Sequence, residues 1–213
     1  MKAHIARRLL PLALVASLTW IAGADTSAES APQAPTGVWR IDPARSDVQF
    51  TITKLGFEDV TGVFRQSEGE IRYDPARPSA SSIQWRVRVA SVVTDALNRD
   101  RSLQAEEYFD AGRHPYLSFV SRTVRSRDAD SLQVDGDITI RGVTRALTII
   151  ARPRATPNTL TFETDIEINR YDFGVRGGSV MGRLIGSMAR VRLVAVAVPA
   201  GRTGPQARVD SLR

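Results

Sequence analysis

Cysteine is absent from the 213 residues, which excludes disulfides, thiolate metal sites, a cysteine nucleophile and a lipid anchor on cysteine. Histidine is almost absent too. Only His4 and His114 are present, so a histidine cluster for zinc, iron or copper has nothing to draw on, and no metal site is expected. The sequence also lacks a G-x-S-x-G nucleophile elbow and a Walker loop, and Gly177-Gly178-Ser179-Val180-Met181-Gly182 does not fit a dinucleotide fingerprint. Arg122, Arg125 and Arg127 lie beside Asp128 and Asp130 without interleaved stacking rings, which describes a solvated surface and not a nucleic-acid site. With 42% hydrophobic and 24% charged residues, the chain is neither a disordered polar polymer nor a multi-span membrane protein, and one or two domains fit.

The formal net charge is +6, but Lys2, Arg7 and Arg8 supply half of it from a stretch that contains no acid. Without them the chain is only mildly basic, and no nucleic-acid partner is expected. The same three residues open a leader: a nearly continuous apolar run follows from Leu9 to Ala22, and Ala22-Gly23-Ala24 has the small-x-small pattern of signal-peptidase cleavage. The run is shorter than the roughly 20 residues a spanning helix needs. Residues 1–24 therefore read as a signal peptide cleaved after Ala24, which places the protein in the periplasm. Residues 25–36 are rich in Ala, Ser, Pro and Thr and read as a flexible lead-in. The folded domain is expected over 37–198, and 199–213 as a disordered basic tail.

Between those limits the dominant signal has period two. Ile83, Trp85, Val87 and Val89 alternate with polar residues, as do Val134, Gly136, Ile138 and Ile140. The longest run sets Leu160, Phe162, Ile166 and Ile168 against Thr161, Glu163, Asp165 and Glu167, with Thr164 on the apolar parity. Each reads as a half-buried antiparallel strand. Less regular stretches at 38–54 (broken at Asp42-Pro43), 59–74, 116–125, 143–154 and 188–198 bring the expected total to about eight strands. Turn signals at Asp74-Pro75, Arg141-Gly142 and Pro157-Asn158 separate several of them. Such strands pack as a sandwich or close into a barrel, and closure also removes exposed edges. One short helix is expected over Asn98 to Glu107, with Asn98 as its cap and Leu103 facing inward.

Little in this pattern supports chemistry. His114 precedes Pro115 at a strand entrance and reads as a turn-orienting residue, not a catalytic one. Asp135 and Asp137 share a parity opposite to apolar residues, so they face solvent and do not flank a cleft. Arg170 is the informative exception, because it continues the inward parity of Ile166 and Ile168. A buried guanidinium needs a partner. It pairs with an acid such as Asp172 or Asp100, or it meets the polar head of an amphiphile at a cavity mouth.

The order of short motifs resembles one known family. The carrying residues are Trp39-x-Ile41-Asp42, Ser46-x-Val48-x-Phe50, Val60-Thr61-Gly62-Val63-Phe64, Arg99-Asp100-x-x-Leu103 and Tyr108-Phe109-Asp110. They continue through His114-Pro115-x-x-x-Phe119-x-Ser121, Val134-x-Gly136-x-Ile138-Thr139-Ile140-x-Gly142-Val143-Thr144 and Ile168-Asn169-Arg170-x-Asp172-Phe173-Gly174. In this order and spacing, over about residues 37 to 198, they resemble the YceI-like family of periplasmic, lipocalin-like, polyisoprenoid-binding proteins. Two departures stand out: Arg45 where the family often has a histidine, and a loop rich in glycine and arginine from Gly174 to Gly186.

The resemblance implies an all-β fold, an extended eight-stranded antiparallel lipocalin-like β-barrel with one short helix. It also implies a long apolar cavity and no enzymatic activity. The residues expected to bind ligand are Val48, Phe50, Phe64, Trp85, Val87, Leu103, Phe109, Phe119, Ile138, Phe162 and Phe173, with Arg170 at the mouth. The expected function is non-enzymatic binding, storage or transport of a polyisoprenoid, an isoprenoid quinone or another long-chain amphiphile, with no cofactor beyond that ligand. Membrane contact is expected to be transient at most, and pairing into a homodimer stays open. Two rival readings are an enzyme acting on a bound lipid or ester through His114 with Asp110 or Asp100, and a stress-protective module whose barrel is filled by its own side chains.

Overall fold

A computed structural model describes residues 36–178 and 180–201, apart from the side chain of Met181. The predicted signal peptide, all but the last residue of the lead-in, and the tail from residue 202 lie outside the described residues. Eleven strand segments follow in order: β1 (Gly37–Ile41), β2 (Asp47–Lys54), β3 (Glu58–Phe64), β4 (Ser67–Tyr73), β5 (Ser82–Arg88), β6 (Val92–Val93), β7 (Tyr116–Ser126), β8 (Leu132–Ile140), β9 (Val143–Thr156), β10 (Thr159–Asn169) and β11 (Ile185–Pro199). Among the described residues one α-helix, α1 (Leu97–Gln104), lies between β6 and β7. All pairings are antiparallel, and the order β1-β4-β5-β7-β8-β9-β10-β11 closes through β1 on β11.

This is an eight-stranded closed barrel, because β2, β3 and β6 continue β1, β4 and β5 toward one end. The breaks have local causes. Pro43 lacks an amide, and in the gap after β1 the Ser46 hydroxyl donates to the Val196 carbonyl (3.1 Å) and accepts from the Val196 amide (2.9 Å). Between β3 and β4 the chain turns at Arg65-Gln66, whose amides donate to the carbonyl and hydroxyl of Ser91. Both breaks let a long strand bend, and across each the inward parity changes, from Trp39 and Ile41 to Val48 and Phe50, and from Phe64 to Ile71 and Tyr73. At the β8–β9 turn Arg141 and Gly142 both have positive φ (50° and 72°), the geometry of a tight two-residue hairpin.

The end holding Gly37, Tyr73 and Pro199 is filled. Trp39, Ile71, Val124, Val134, Leu160 and Ala197 are fully buried there. Tyr73 and Phe162 meet edge to face at 5.6 Å. Small residues on β9 and β11, Ala151, Ala195 and Ala197, leave room for the large rings opposite.

Three expectations are corrected. The helix begins at Leu97 and ends at Gln104, and Asn98 lies inside it; its N-cap is Ala96, which makes no side-chain cap bond. The start is set instead by Asp100, whose carboxylate accepts from both the amide (2.8 Å) and the hydroxyl (2.6 Å) of Thr94. Phe162 belongs to the filled end against Tyr73 and does not reach a cavity. The ladder also outlasts the predicted boundary at 198: β11 runs to Pro199, and the Ala200 amide still donates to the Val38 carbonyl (2.9 Å).

On the outside of the barrel the arginines of β7 meet the acids of β8, Arg122 with Asp137 (3.1 Å) and Arg125 with Asp135. Hydrogen bonds from Thr148 and Gln133, joined by Thr123 and the charge of Arg125, outweigh partial desolvation and hold the Asp135 carboxyl at about 2. A carboxyl depressed in the folded state stabilises it above the ordinary value of 3.8, and that contribution disappears as the pH falls toward about 2. Asp135→Asn is therefore expected to lower the urea midpoint at neutral pH and to flatten its acid dependence. Wild type and variant should converge near the bottom of that window in urea titrations at stepped pH.

Candidate functional site

Beyond the filled end the barrel is hollow. A cavity of about 550 Å³ occupies the half bounded by β2, β3, the start of β7, the end of β8, the end of β10 and the start of β11. Period two aims the wall residues inward: Val48, Phe50 and Ile52 from β2, Trp85 and Val87 from β5, Ile166 and Ile168 from β10, Val191 and Leu193 from β11. Leu117 and Phe119 of β7 and Ile138 and Ile140 of β8 complete the far wall. Leu103 of α1 and Phe109 of the following loop cover the open side. The wall is almost entirely hydrocarbon.

Two glycines make that space. A Cβ on Gly62 would sit 2.4 Å from Phe50 Cζ, and one on Gly136 would sit 2.6 Å from Phe119 Cζ. Each ring takes up the space over the neighbouring strand that a side chain at the glycine would fill. Phe64 bridges Phe50 (5.6 Å between centroids) and Phe109 (5.8 Å), so one aromatic run links β2 and β3 to the covering loop.

Of the twelve residues singled out from the sequence, Val48, Phe50, Phe64, Trp85, Val87, Leu103, Phe109, Phe119, Ile138, Arg170 and Phe173 border this cavity, and Phe162 does not. The sequence reading missed the aliphatic residues of β11 and the two glycines beneath the rings. The β11 residues were hidden because the strand is irregular between Ile185 and Ala189, which breaks its alternation.

Arg170 occupies an unexpected position. It is buried, 6% exposed, yet neither Asp172 nor Asp100 pairs with it. Its Nε donates to the Gly186 carbonyl (2.8 Å), and Nη1 to the carbonyls of Val175 (2.8 Å) and Arg176 (2.7 Å). Nη2 donates to Gly182 (2.7 Å), Ile185 (2.8 Å) and the Tyr171 hydroxyl (3.0 Å). A guanidinium has five N–H groups, and all are directed at these acceptors. Arg170 thus organises the 174–186 loop, which corrects the expectation of an acid partner, while the residue still borders the cavity. Burial lowers its pKa from the ordinary guanidinium value, against the influence of Tyr171 and Tyr108. It remains a cation.

The motif around it is built for this task. Asn169 accepts from the Tyr171 amide, Phe173 packs with Ile140 and Val175, and Gly174 closes the turn at φ 70°. Arg141 reaches from the β8–β9 turn to the carbonyls of Gly174 and Glu106, and the Gly177 amide donates to the Glu107 carbonyl (2.8 Å). The 105–110 and 174–186 segments are joined by these bonds across the cavity's end.

Polar residues at the cavity are few: Lys54, Asn98, Arg99 and Ser102 near its mouth, and Thr94, Tyr108, Ser118 and Arg170 along its lining. His114 does not border the cavity; its ring lies over Gly142, where a Cβ would be 2.7 Å from Cε1. Asp100 is occupied by Thr94, and Asp110 lies 3.5 Å from Arg113. Among the described residues no group of three or more His, Asp or Glu converges to hold a metal ion.

Arg170→Met is expected to destabilise the fold by roughly 3 kcal/mol or more, because buried carbonyls lose their donors. Urea unfolding measures the loss, and amide exchange should accelerate over 175–186 before it does in β8. Arg170→Lys should recover only part, since an ammonium has three donors.

Comparison with known proteins places this geometry in context. The YceI-like domain family matches residues 39–197. A UPF0312 protein of Pseudomonas savastanoi pv. phaseolicola is 30% identical over 164 residues, covering 71% of this chain and 83% of the relative. Among solved structures, BcnA of Burkholderia cenocepacia superposes with a TM-score of 0.70 at 23% identity, over 74% of this chain and 99% of that one. A polyisoprenoid binding domain from Saccharophagus degradans, implicated in plant cell wall breakdown, gives 0.61 at 13% identity over 76% and 98%. Both structures share the fold.

Proposed function

We propose that this chain, which belongs to the YceI-like family, is a non-enzymatic carrier that binds a polyisoprenoid, an isoprenoid quinone or another long-chain amphiphile and stores or moves it through the periplasm. The observation that carries this reading is the hydrocarbon-walled cavity of about 550 Å³, open at one end and filled at the other. Its size lies inside the roughly 300–1,000 Å³ common for small-molecule sites. A chain gains about 0.8 kcal/mol per buried CH₂, so ten methylenes supply about 8 kcal/mol, the scale of micromolar affinity before ordering costs. No reaction is needed for such a site to work.

In this reading Val48, Phe50, Phe64, Trp85, Val87, Leu103, Phe109, Phe119, Ile138 and Phe173 contact the chain. The head group stays at the mouth among Lys54, Asn98, Arg99 and Ser102, where water keeps it solvated. The polyisoprenoid-binding domain named above, with the same fold, supports a lipid ligand. The leader at 1–24 supports export. An enzyme using His114 has less support, because that ring lies outside the cavity. A module filled by its own side chains would leave no such space.

Native mass spectrometry after detergent-free purification is expected to show a mass increment that delipidation removes, and geranylgeraniol should restore saturable binding. A protein that carries nothing and ignores geranylgeraniol would overturn the reading. Gly62→Ala offers a finer check: its methyl displaces the Phe50 ring into the lumen, so geranylgeraniol affinity should fall severalfold while the thermal midpoint changes by only a few degrees.

A further inference from the structure

The three most exposed large apolar side chains of the described residues all stand at the open end of the barrel. Phe57 is 82% exposed at the β2–β3 turn, Leu97 75% at the start of α1, and Val180 63% on the loop before β11. Each of these segments adjoins the cavity: Lys54 lies three residues before Phe57, Ala96 and Asn98 flank Leu97, and Ile185 follows the loop. Leu55 and Leu184, also exposed, are joined because the Leu55 amide donates to the Leu184 carbonyl (2.7 Å). Apolar side chains of this size in water, gathered round one opening, mark a contact surface.

The charges on the same segments indicate what the surface meets. Segments 54–59, 95–101 and 176–184 carry the acids Glu58, Asp59, Asp95 and Asp100. Glu58 is bound by Lys54 (3.2 Å), Asp59 by Arg190 (2.6 Å), and Asp100 is buried against Thr94. That leaves Asp95 against four exposed arginines, Arg99, Arg101, Arg176 and Arg183, none of which has a carboxylate within ion-pair distance among the described residues. Apolar side chains interleaved with unneutralised arginines match an anionic bilayer surface, whose headgroup region accepts the first and whose phosphates accept the second.

We infer that the open end of the barrel docks on an anionic phospholipid bilayer, with Phe57 and Leu97 entering the headgroup boundary and the arginines on lipid phosphates, so that the cavity mouth faces the membrane. Docking delivers a chain to the cavity described above, and its purpose rests on that reading. The contact itself does not. It should weaken as salt screens the arginines.

The cysteine-free sequence allows a direct test. Single thiols are introduced by Glu58→Cys at the β2–β3 turn and by Asp130→Cys in the turn at the opposite end, and each is labelled with the polarity-sensitive dye NBD. Vesicles of phosphatidylglycerol and phosphatidylethanolamine should raise emission severalfold and shift it to the blue at position 58 only. Pure phosphatidylcholine should do so weakly. Adding Phe57→Ser and Leu97→Ser to the 58-labelled chain should abolish the response and leave geranylgeraniol binding in solution unchanged.

A response at 130 equal to that at 58 would mean attachment elsewhere on the chain and would overturn the proposal. So would a response at 58 that survives both serine substitutions, or one that follows protein concentration without vesicles and so reports a second copy on this face. If the 58 label responds as expected but the wild type binds no geranylgeraniol, docking stands and the carrier reading alone fails.

Discussion

Closure of the barrel depends on one long strand meeting a first strand that is interrupted. β11 pairs with β1 over Trp39 to Ile41 and with β2 from Asp47 onward, leaving five residues of the opposing chain without regular pairing. Val196 sits opposite that gap, and its amide and carbonyl would be orphaned inside a closed sheet. The Ser46 hydroxyl accepts from one and donates to the other, and the Asp42 amide donates to the same carbonyl (2.8 Å). With the seam satisfied, every inward side chain has a defined interior to face. Without it the alternation along the other strands would specify a sheet with two open edges.

A closed barrel does not by itself decide whether it is full or hollow. That depends on where the ring volume is placed. At the filled end Trp39, Tyr73 and Phe162 point across the lumen and meet the small residues Ala151, Ala195 and Ala197. At the other end the rings of Phe50 and Phe119 lie over Gly62 and Gly136, and much of the remaining wall is aliphatic. The same kinds of residue therefore plug one half and clear the other. An unfilled apolar space forgoes dispersion contacts along its whole lining, so the folded state gains stability whenever a ligand that does not bind the unfolded chain enters it.

This division explains which parts of the structure were legible in the sequence. β8 and β10 alternate without interruption, so period two alone gives their inward faces. β7 was less regular because a register shift between Ser121 and Thr123 moves the inward parity from Phe119 to Val124. The helix start is not legible because Asn98 has the chemistry of a cap, whereas the clasp of Asp100 on Thr94 is a reverse contact that spacing does not reveal. Phe162 shares its parity with cavity residues, and only its height along the strand puts it in the plug. Strand period gives the face of a side chain, but its depth depends on tilt and register, which are properties of the closed sheet.

Arg170 shows a related limit and leads to a point about selectivity. Parity correctly marked it as inward, and the demand of a buried cation for partners was also correct. The partners are backbone carbonyls supplied by a loop that folds back over it, an arrangement with no sequence period. Because its donors are consumed in holding that loop, Arg170 offers the cavity no free donor, and the wall stays largely hydrocarbon. A site of this kind discriminates by a small free energy for each methylene added or removed and has few buried polar groups with which to reject a changed head group. Selection among amphiphiles would then follow the length, branching and stiffness of the chain, which the ring-on-glycine walls and the fixed floor of the plug can sense.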